Sequence, residues 1–263
     1  MHAGEWVARN WQQIIGGLPT TRVPILGIAG AQGSGKSWLA RAIAAKHPGN
    51  VALFSLDDFY LTKAERLQLA KSTHPNLATR GVPGTHDVAL LRDVIEAART
   101  GTARSGLVWP RFDKLRDDRM AQDAWCMATP PFDLILLEGW CIGCQPQPDA
   151  ALAAPVNRYE AQTDPDQTWR TFVNRKLKGP YAKLFKSMDA VLFLKAPGFE
   201  SVHAWRLEQE RQAYAAKTET EPAELSENIA QFIQCYERLT RHMLSSTFAD
   251  TVLSLDNHRQ VLQ

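Results

Sequence analysis

Gly30-Ala31-Gln32-Gly33-Ser34-Gly35-Lys36-Ser37 fits the pattern G-x-x-x-x-G-K-[ST] at every fixed position. An apolar run (PILGIAGA, residues 24–31) leads into it and reads as a buried strand. A helical pattern over residues 37–46 leads out and stops at Pro48-Gly49. The chemistry explains the residue types. Triphosphate oxygens need a concave array of backbone N–H donors, and glycines let the backbone turn and approach closely. Gly30, Gln32, Gly33, Ser34 and Gly35 supply that loop, and the helix behind it points its positive end at the anion. Lys36 can reach the β- and γ-phosphates, and the Ser37 hydroxyl can hold Mg²⁺. ATP and Mg²⁺ are therefore the expected ligands.

Further strands are expected at residues 50–56, 132–138, 189–194 and 251–255. Residues 134–137 are four consecutive large aliphatics, as a strand buried on both faces requires. Helices are expected at residues 5–18, about 62–72, 87–100, 167–187, 200–217 and 222–245. Strands separated by helices mean βαβ units and a parallel sheet. The expected fold is an α/β P-loop NTPase, three layers (α/β/α) with a mainly parallel five-stranded sheet. Residues 141–166 hold four prolines and read as an excursion, because strand and helix patterns resume after them.

Composition narrows the class. The 263 residues carry 30 Lys+Arg against 28 Asp+Glu, a net charge of +2, with 44% apolar and 22% charged residues. That balance suits a globular chain and argues against bulk coating of nucleic acid or acidic membrane. No apolar run approaches the length of a bilayer span, and the first twenty residues carry no export-type apolar core. Four cysteines are too few for a disulfide scaffold. The expectation is a cytoplasmic, reducing-compartment monomer with a small-molecule partner.

Two other strand ends carry acid: Ser55-Leu56-Asp57-Asp58-Phe59-Tyr60 and Leu137-Glu138-Gly139-Trp140. In doubly wound sheets ligands sit at the carboxyl ends of the strands, so these acids converge on the phosphate loop. A kinase needs one carboxylate to orient or deprotonate the acceptor hydroxyl and another to hold Mg²⁺. Asp57 suits the first role and Glu138 the second, and the two roles are interchangeable at this level. Asp58 also reads as a helix cap. No Asn-Lys-x-Asp base-reading motif follows a later strand, which argues against a GTPase switch.

The phosphate loop, SLDDFY at 55–60, GVPGTHD at 81–87, the FDK..DDR segment at 112–119, EGW at 138–140 and WRLEQE at 205–210 together resemble the D-glycerate 3-kinase family. That family is related to phosphoribulokinase, uridine kinase and pantothenate kinase. The resemblance runs in order from about residue 23 to 256. It implies a single kinase domain over 1–263, with an N-terminal helix (1–20), an acceptor-binding insertion (60–131) and a helical lid (196–217). It also implies ATP-dependent phosphorylation of a small hydroxy acid, most simply D-glycerate.

By that resemblance, Asp57, Tyr60, Arg80, Thr85, His86 and Asp87 face the acceptor; Asp87 equally reads as a cap on the helix after it. Arg111, Lys114, Arg116 and Arg119 are candidate cations for a substrate carboxylate, with Arg119 the best match, and Asp113 orders the loop or touches the substrate. Arg206 is the expected lid cation, joining Lys36 and Asp57 in the catalytic set. The alternatives are another acceptor (a nucleoside, a pantothenate-like molecule or a sugar phosphate) and a non-catalytic ATP-binding regulator. Cys141-Ile-Gly-Cys144 stands alone as a C-x-x-C, without a second pair or a redox context.

Overall fold

The structure, a computed structural model, describes residues 3–103, 105–216 and 222–262. The elements are α1 (Ala3–Arg9), α2 (Trp11–Gly16), β1 (Ile25–Gly30), α3 (Lys36–Lys46), β2 (Val51–Ser55), α4 (Lys63–Ser72) and α5 (Val88–Thr100). Four short strands follow: β3 (Leu107–Trp109), β4 (Phe112–Asp113), β5 (Asp118–Arg119) and β6 (Cys126–Ala128). Then come β7 (Leu134–Gly139), α6 (Arg158–Thr163), α7 (Thr168–Lys176), α8 (Ala182–Phe185), β8 (Ala190–Lys195), α9 (Phe199–Ala216), α10 (Leu225–Ser245) and β9 (Thr251–Ser254).

One sheet runs in the order β2-β7-β1-β8-β9, with each neighbouring pair parallel. All six residues of β1 and all six of β7 are buried, because helices cover both faces of these central strands. Side chains alternate between two cores. Ile25, Ala29, Ile135 and Leu137 join α5 and α7 on one face. Leu26, Ile28, Leu134 and Leu136 join α3 and the buried side of α9 on the other. Each such leucine or isoleucine contributes about 1.5–3 kcal/mol on burial. The three-layer architecture and the five-stranded parallel sheet are those expected.

Two features differ from the sequence reading, and the end of one expected helix lies outside the described residues. The single N-terminal helix expected over 5–18 is two, broken at Asn10, whose amide Nδ2 donates to the Trp6 carbonyl at 2.9 Å. The helix expected to reach Lys217 is described to Ala216, and Lys217 lies outside the described residues. The insertion between β2 and β7 holds two antiparallel hairpins, β3 with β6 and β4 with β5, too short to announce themselves by alternation.

The 141–166 excursion is tied down by buried charge. Arg238 on α10 donates to both Glu160 oxygens, at 2.8 and 2.7 Å, and Arg170 donates to Asp164 at 2.8 Å. Asp164 also accepts the backbone N–H groups of Trp169 and Arg170, capping α7. No helix among the described residues is long and apolar enough to cross a membrane.

Candidate active site

Sheet register brings the predicted residues together. Ser55 at the end of β2 pairs with Glu138 at the end of β7, and Ala29, one residue before the phosphate loop, pairs with Gly139. A 3₁₀ turn over Leu56–Phe59 then carries Asp57 out over the carboxyl edge of the sheet. Gly33 and Gly35 adopt left-handed backbone, φ +76° and +91°, which lets the loop curl back into α3. A Cβ on Gly33 would stand 2.7 Å from the Trp205 Cβ, so the loop packs directly on α9. Arg259, stacked on the Trp205 ring, also holds the loop, donating to the Gly33 carbonyl at 2.7 Å.

The loop opens onto a cleft of about 650 Å³. Gln32, Lys36, Ser37, Asp57, Glu138 and Arg206 line it, and Tyr60, Arg80, Lys114, Trp140, Phe232 and Tyr236 form the remaining wall. The Ser37 hydroxyl donates to Glu138 Oε1 at 2.8 Å. Glu138 is buried, and its Oε2 has no partner; nor do the buried Gln32 Oε1 and Ser34 Oγ. Buried polar atoms are ordinarily satisfied, so three orphans around one loop mark a ligand site. A hydroxyl beside a half-satisfied carboxylate is a donor set that fits Mg²⁺. Ser37 and Glu138 are the residues that could hold it.

Asp57 sits across the cleft. Its Oδ1 accepts from the Tyr60 hydroxyl at 3.2 Å and its Oδ2 from Lys114 Nζ at 2.7 Å. Burial pushes this carboxyl up, but the ammonium groups of Lys114 and Lys36 outweigh it and hold Asp57 at about 2. Its neighbour Asp58 has no such cation in contact. Burial pushes it up to about 6, although it accepts the Phe112 N–H at 3.3 Å. His86 stacks on Tyr60 with ring centroids 4.3 Å apart and bonds the Tyr181 hydroxyl through Nδ1 at 2.6 Å. Burial lowers it to about 3, so it is neutral near pH 7.

The other predicted acceptor residues divide. Arg80 lines the cleft, ion-paired to Asp117 and stacked 5.4 Å from the Phe112 ring. Arg206 pairs with Glu210 one turn along α9. Thr85 is fully buried, and its hydroxyl closes the 81–85 turn, donating to the Val82 carbonyl and accepting from the Gly81 N–H. Asp87 caps α5, accepting the Leu90 N–H at 3.0 Å. His86 and Asp87 face a second groove, on the far side of Tyr60, rather than the cleft.

Arg119 is turned inward onto the Tyr60 carbonyl at 2.9 Å, with Asp87 at 3.5 Å, and does not line the cleft. Arg111 is exposed and also lies off it. Asp113 orders the hairpin tip, accepting the N–H groups of Leu115 and Arg116. Sequence reasoning missed Phe232 and Tyr236. They sit four apart on the apolar stripe of α10, where spacing alone signals core. It also missed a smaller pocket of about 270 Å³ behind the loop, lined by Trp38, Arg41, Gln212 and Arg259 and meeting the cleft at Gly33, Lys36, Ser37 and Gln209.

Fold and site define a P-loop kinase. No family model matches the chain. "Uncharacterized kinase mug58" of Schizosaccharomyces pombe is 35% identical over 229 residues, covering 83% of this chain and 80% of that protein. The chloroplastic D-glycerate 3-kinase of Arabidopsis thaliana is 28% identical over 251 residues, covering 88% of this chain and 52% of the plant protein, so the chain spans about half of that relative. Among solved structures, D-glycerate 3-kinase from Cryptococcus neoformans superposes with a TM-score of 0.77 at 20% identity, covering 99% of this chain and 96% of that one; this likeness carries the fold. The chain belongs to the D-glycerate 3-kinase family of P-loop kinases.

Proposed function

We propose that the protein transfers the γ-phosphoryl group of ATP to the 3-hydroxyl of D-glycerate, working as one kinase domain. The carrying observation is the far wall of the cleft. Facing the loop and Asp57, it presents Arg80 and Lys114, two cations suited to an acceptor with a carboxylate. The name of the plant relative supports the same acceptor.

In this reading the loop N–H groups and Lys36 hold the β- and γ-phosphates, and the nucleobase lies in the smaller pocket beside Trp38 and Arg259. Ser37 and Glu138 would hold Mg²⁺, which when bound would offset the charge of the phosphates. Asp57 orients the acceptor hydroxyl and takes its proton as the new O–P bond forms. Lys36 and Arg206 balance the charge developing on the transferred group and on the departing ADP.

A panel of acceptors in a coupled ADP-release assay tests the assignment. D-glycerate should support turnover well above a nucleoside, a pantothenate-like alcohol and a sugar phosphate. Turnover on one of those with none on D-glycerate refutes it. ATP binding with no acceptor-stimulated ADP release refutes the kinase reading as a whole.

A further inference from the structure

Lys114 sits at the tip of the β4–β5 hairpin with its side chain 61% exposed, beside Leu115 at 83%. The backbone there is fixed, because Asp113 accepts two tip N–H groups. The side chain is therefore a long, exposed cation on a tied base. Its partner in the structure is the Asp57 carboxylate. We propose that Lys114 is the specificity residue for an acidic acceptor, and that it acts by exchange: it leaves Asp57 for the acceptor carboxylate as the acceptor hydroxyl takes its place on Asp57. This rests on the hydroxy-acid reading above.

Four observations carry it. First, Arg80 is held in the wall by Asp117 and Arg206 by Glu210, and Lys36 belongs to the phosphate loop, whereas the Lys114 side chain is far more exposed than that of Arg80 or Arg206. Second, the lining of the cleft carries four cations, Lys36, Arg80, Lys114 and Arg206, against three carboxylates, Asp57, Glu138 and Glu210, a balance that favours an anionic acceptor. Third, Asp57 already has a partner on each oxygen, Tyr60 on Oδ1 and Lys114 on Oδ2. A hydroxyl arriving to donate its proton competes for one of them; Tyr60 is buried and stacked on His86, whereas the exposed Lys114 side chain has room to swing away. Fourth, Arg119, the cation the sequence favoured, is fixed on the Tyr60 carbonyl and Asp87 and cannot take the role without unmaking the turn.

The exchange links recognition to chemistry. Asp57 is faced by Lys36 from α3, Tyr60 and Asp58 from its own turn, His86, and Lys114. With Lys114 drawn off, burial is opposed chiefly by Lys36, and the carboxylate becomes a stronger base. A neutral acceptor leaves Lys114 in place and the base weak.

The test compares wild type, Lys114→Met and Lys114→Arg on D-glycerate and on glycerol, its uncharged analogue. Lys114→Met should lower kcat/KM for D-glycerate relative to glycerol by about 10–100-fold, the loss of one charge-assisted bond, while the KM for ATP moves far less. Lys114→Arg should restore most of the preference. The acid limb of kcat/KM, which reports free enzyme, should move to higher pH in Lys114→Met. The acid limb of kcat, which reports the complex, should stay, since Lys114 has already left Asp57 there. An unchanged D-glycerate preference overturns Lys114 as the specificity residue. Both limbs moving together overturns the exchange. Wild-type inactivity on D-glycerate refutes the acceptor assignment, not this proposal. The same variants then decide it on the acid acceptor that is active and on its uncharged analogue.

Discussion

A Glu138→Gln substitution should move stability and activity in opposite directions. Glu138 is 6% exposed, and one of its oxygens accepts from Ser37 at 2.8 Å while the other has no partner. Gln keeps the shape and the bond from Ser37 and removes a buried charge. An unsatisfied charged group costs more than a neutral one, so the gain is about 1 kcal/mol in protein without nucleotide. For a chain of this size that is a rise in Tm of about 2–4 °C. If Glu138 holds Mg²⁺ as proposed, the same change removes its anionic ligand, and turnover should fall about 100-fold or more. Thermal melts with and without Mg·ATP read both effects. Wild type at about 100 Kd of nucleotide gains about 2.7 kcal/mol, and the variant should lose most of that gain. A variant that melts lower than wild type when free, yet turns over normally, would make Glu138 a structural residue.

Three further outcomes follow from the geometry. Asp57→Asn should lower kcat by about 10²–10⁴-fold with little change in ATP affinity by equilibrium binding; loss of ATP binding with kcat intact would move Asp57 to the metal. Arg238→Ala leaves Glu160 buried and unpaired, and should cost about 3–5 kcal/mol in a urea titration, whereas a cost below about 1 kcal/mol would mean water reaches that pair. Asp58, pushed up to about 6 by burial, binds its proton more tightly folded than unfolded, so its ionisation lowers stability as pH rises from about 4 to 6. Asp58→Asn keeps an acceptor for the Phe112 N–H and removes that loss, so it should stabilise by about 1–3 kcal/mol at pH 8 and much less at pH 4. Equal effects at both pH values would refute the sign.

What the sequence disclosed was mostly local. The spacing of Gly30, Gly35, Lys36 and Ser37 is itself the geometry of the phosphate loop, so strand, loop and helix could be read together. Asp57 and Glu138 were legible because strand ends converge at one edge of a parallel sheet. That Arg119 turns away from the cleft was not legible, because charge density in residues 110–119 says nothing of direction. The hairpin turns Arg119 under the chain and Lys114 over the cleft, and that choice is set by β4–β5 pairing. Thr85 and Asp87, carried over as acceptor residues, here close a turn and cap a helix, the second role already open in the sequence, since the same side-chain oxygens fill either role equally well. The break at Asn10 escaped notice because the apolar spacing runs straight through it. Phe232 and Tyr236 could not be told from core, since the helix stripe that packs α10 also walls the cleft.

The strand order has a consequence for how the molecule comes into being. β1, which carries the phosphate loop, is hydrogen-bonded on one side to β7 and on the other to β8, pairing Ile25 with Ile135 and Leu26 with Ala190. Both partners arrive more than about 100 residues later, so the loop's framework closes only after long loops have been paid for in entropy. During synthesis the chain up to the end of β2 has no sheet to join and waits, apolar and unpaired, for most of the molecule to emerge. Nucleotide can stabilise the loop only after that closure, so it should slow unfolding while leaving the rate of folding nearly unchanged.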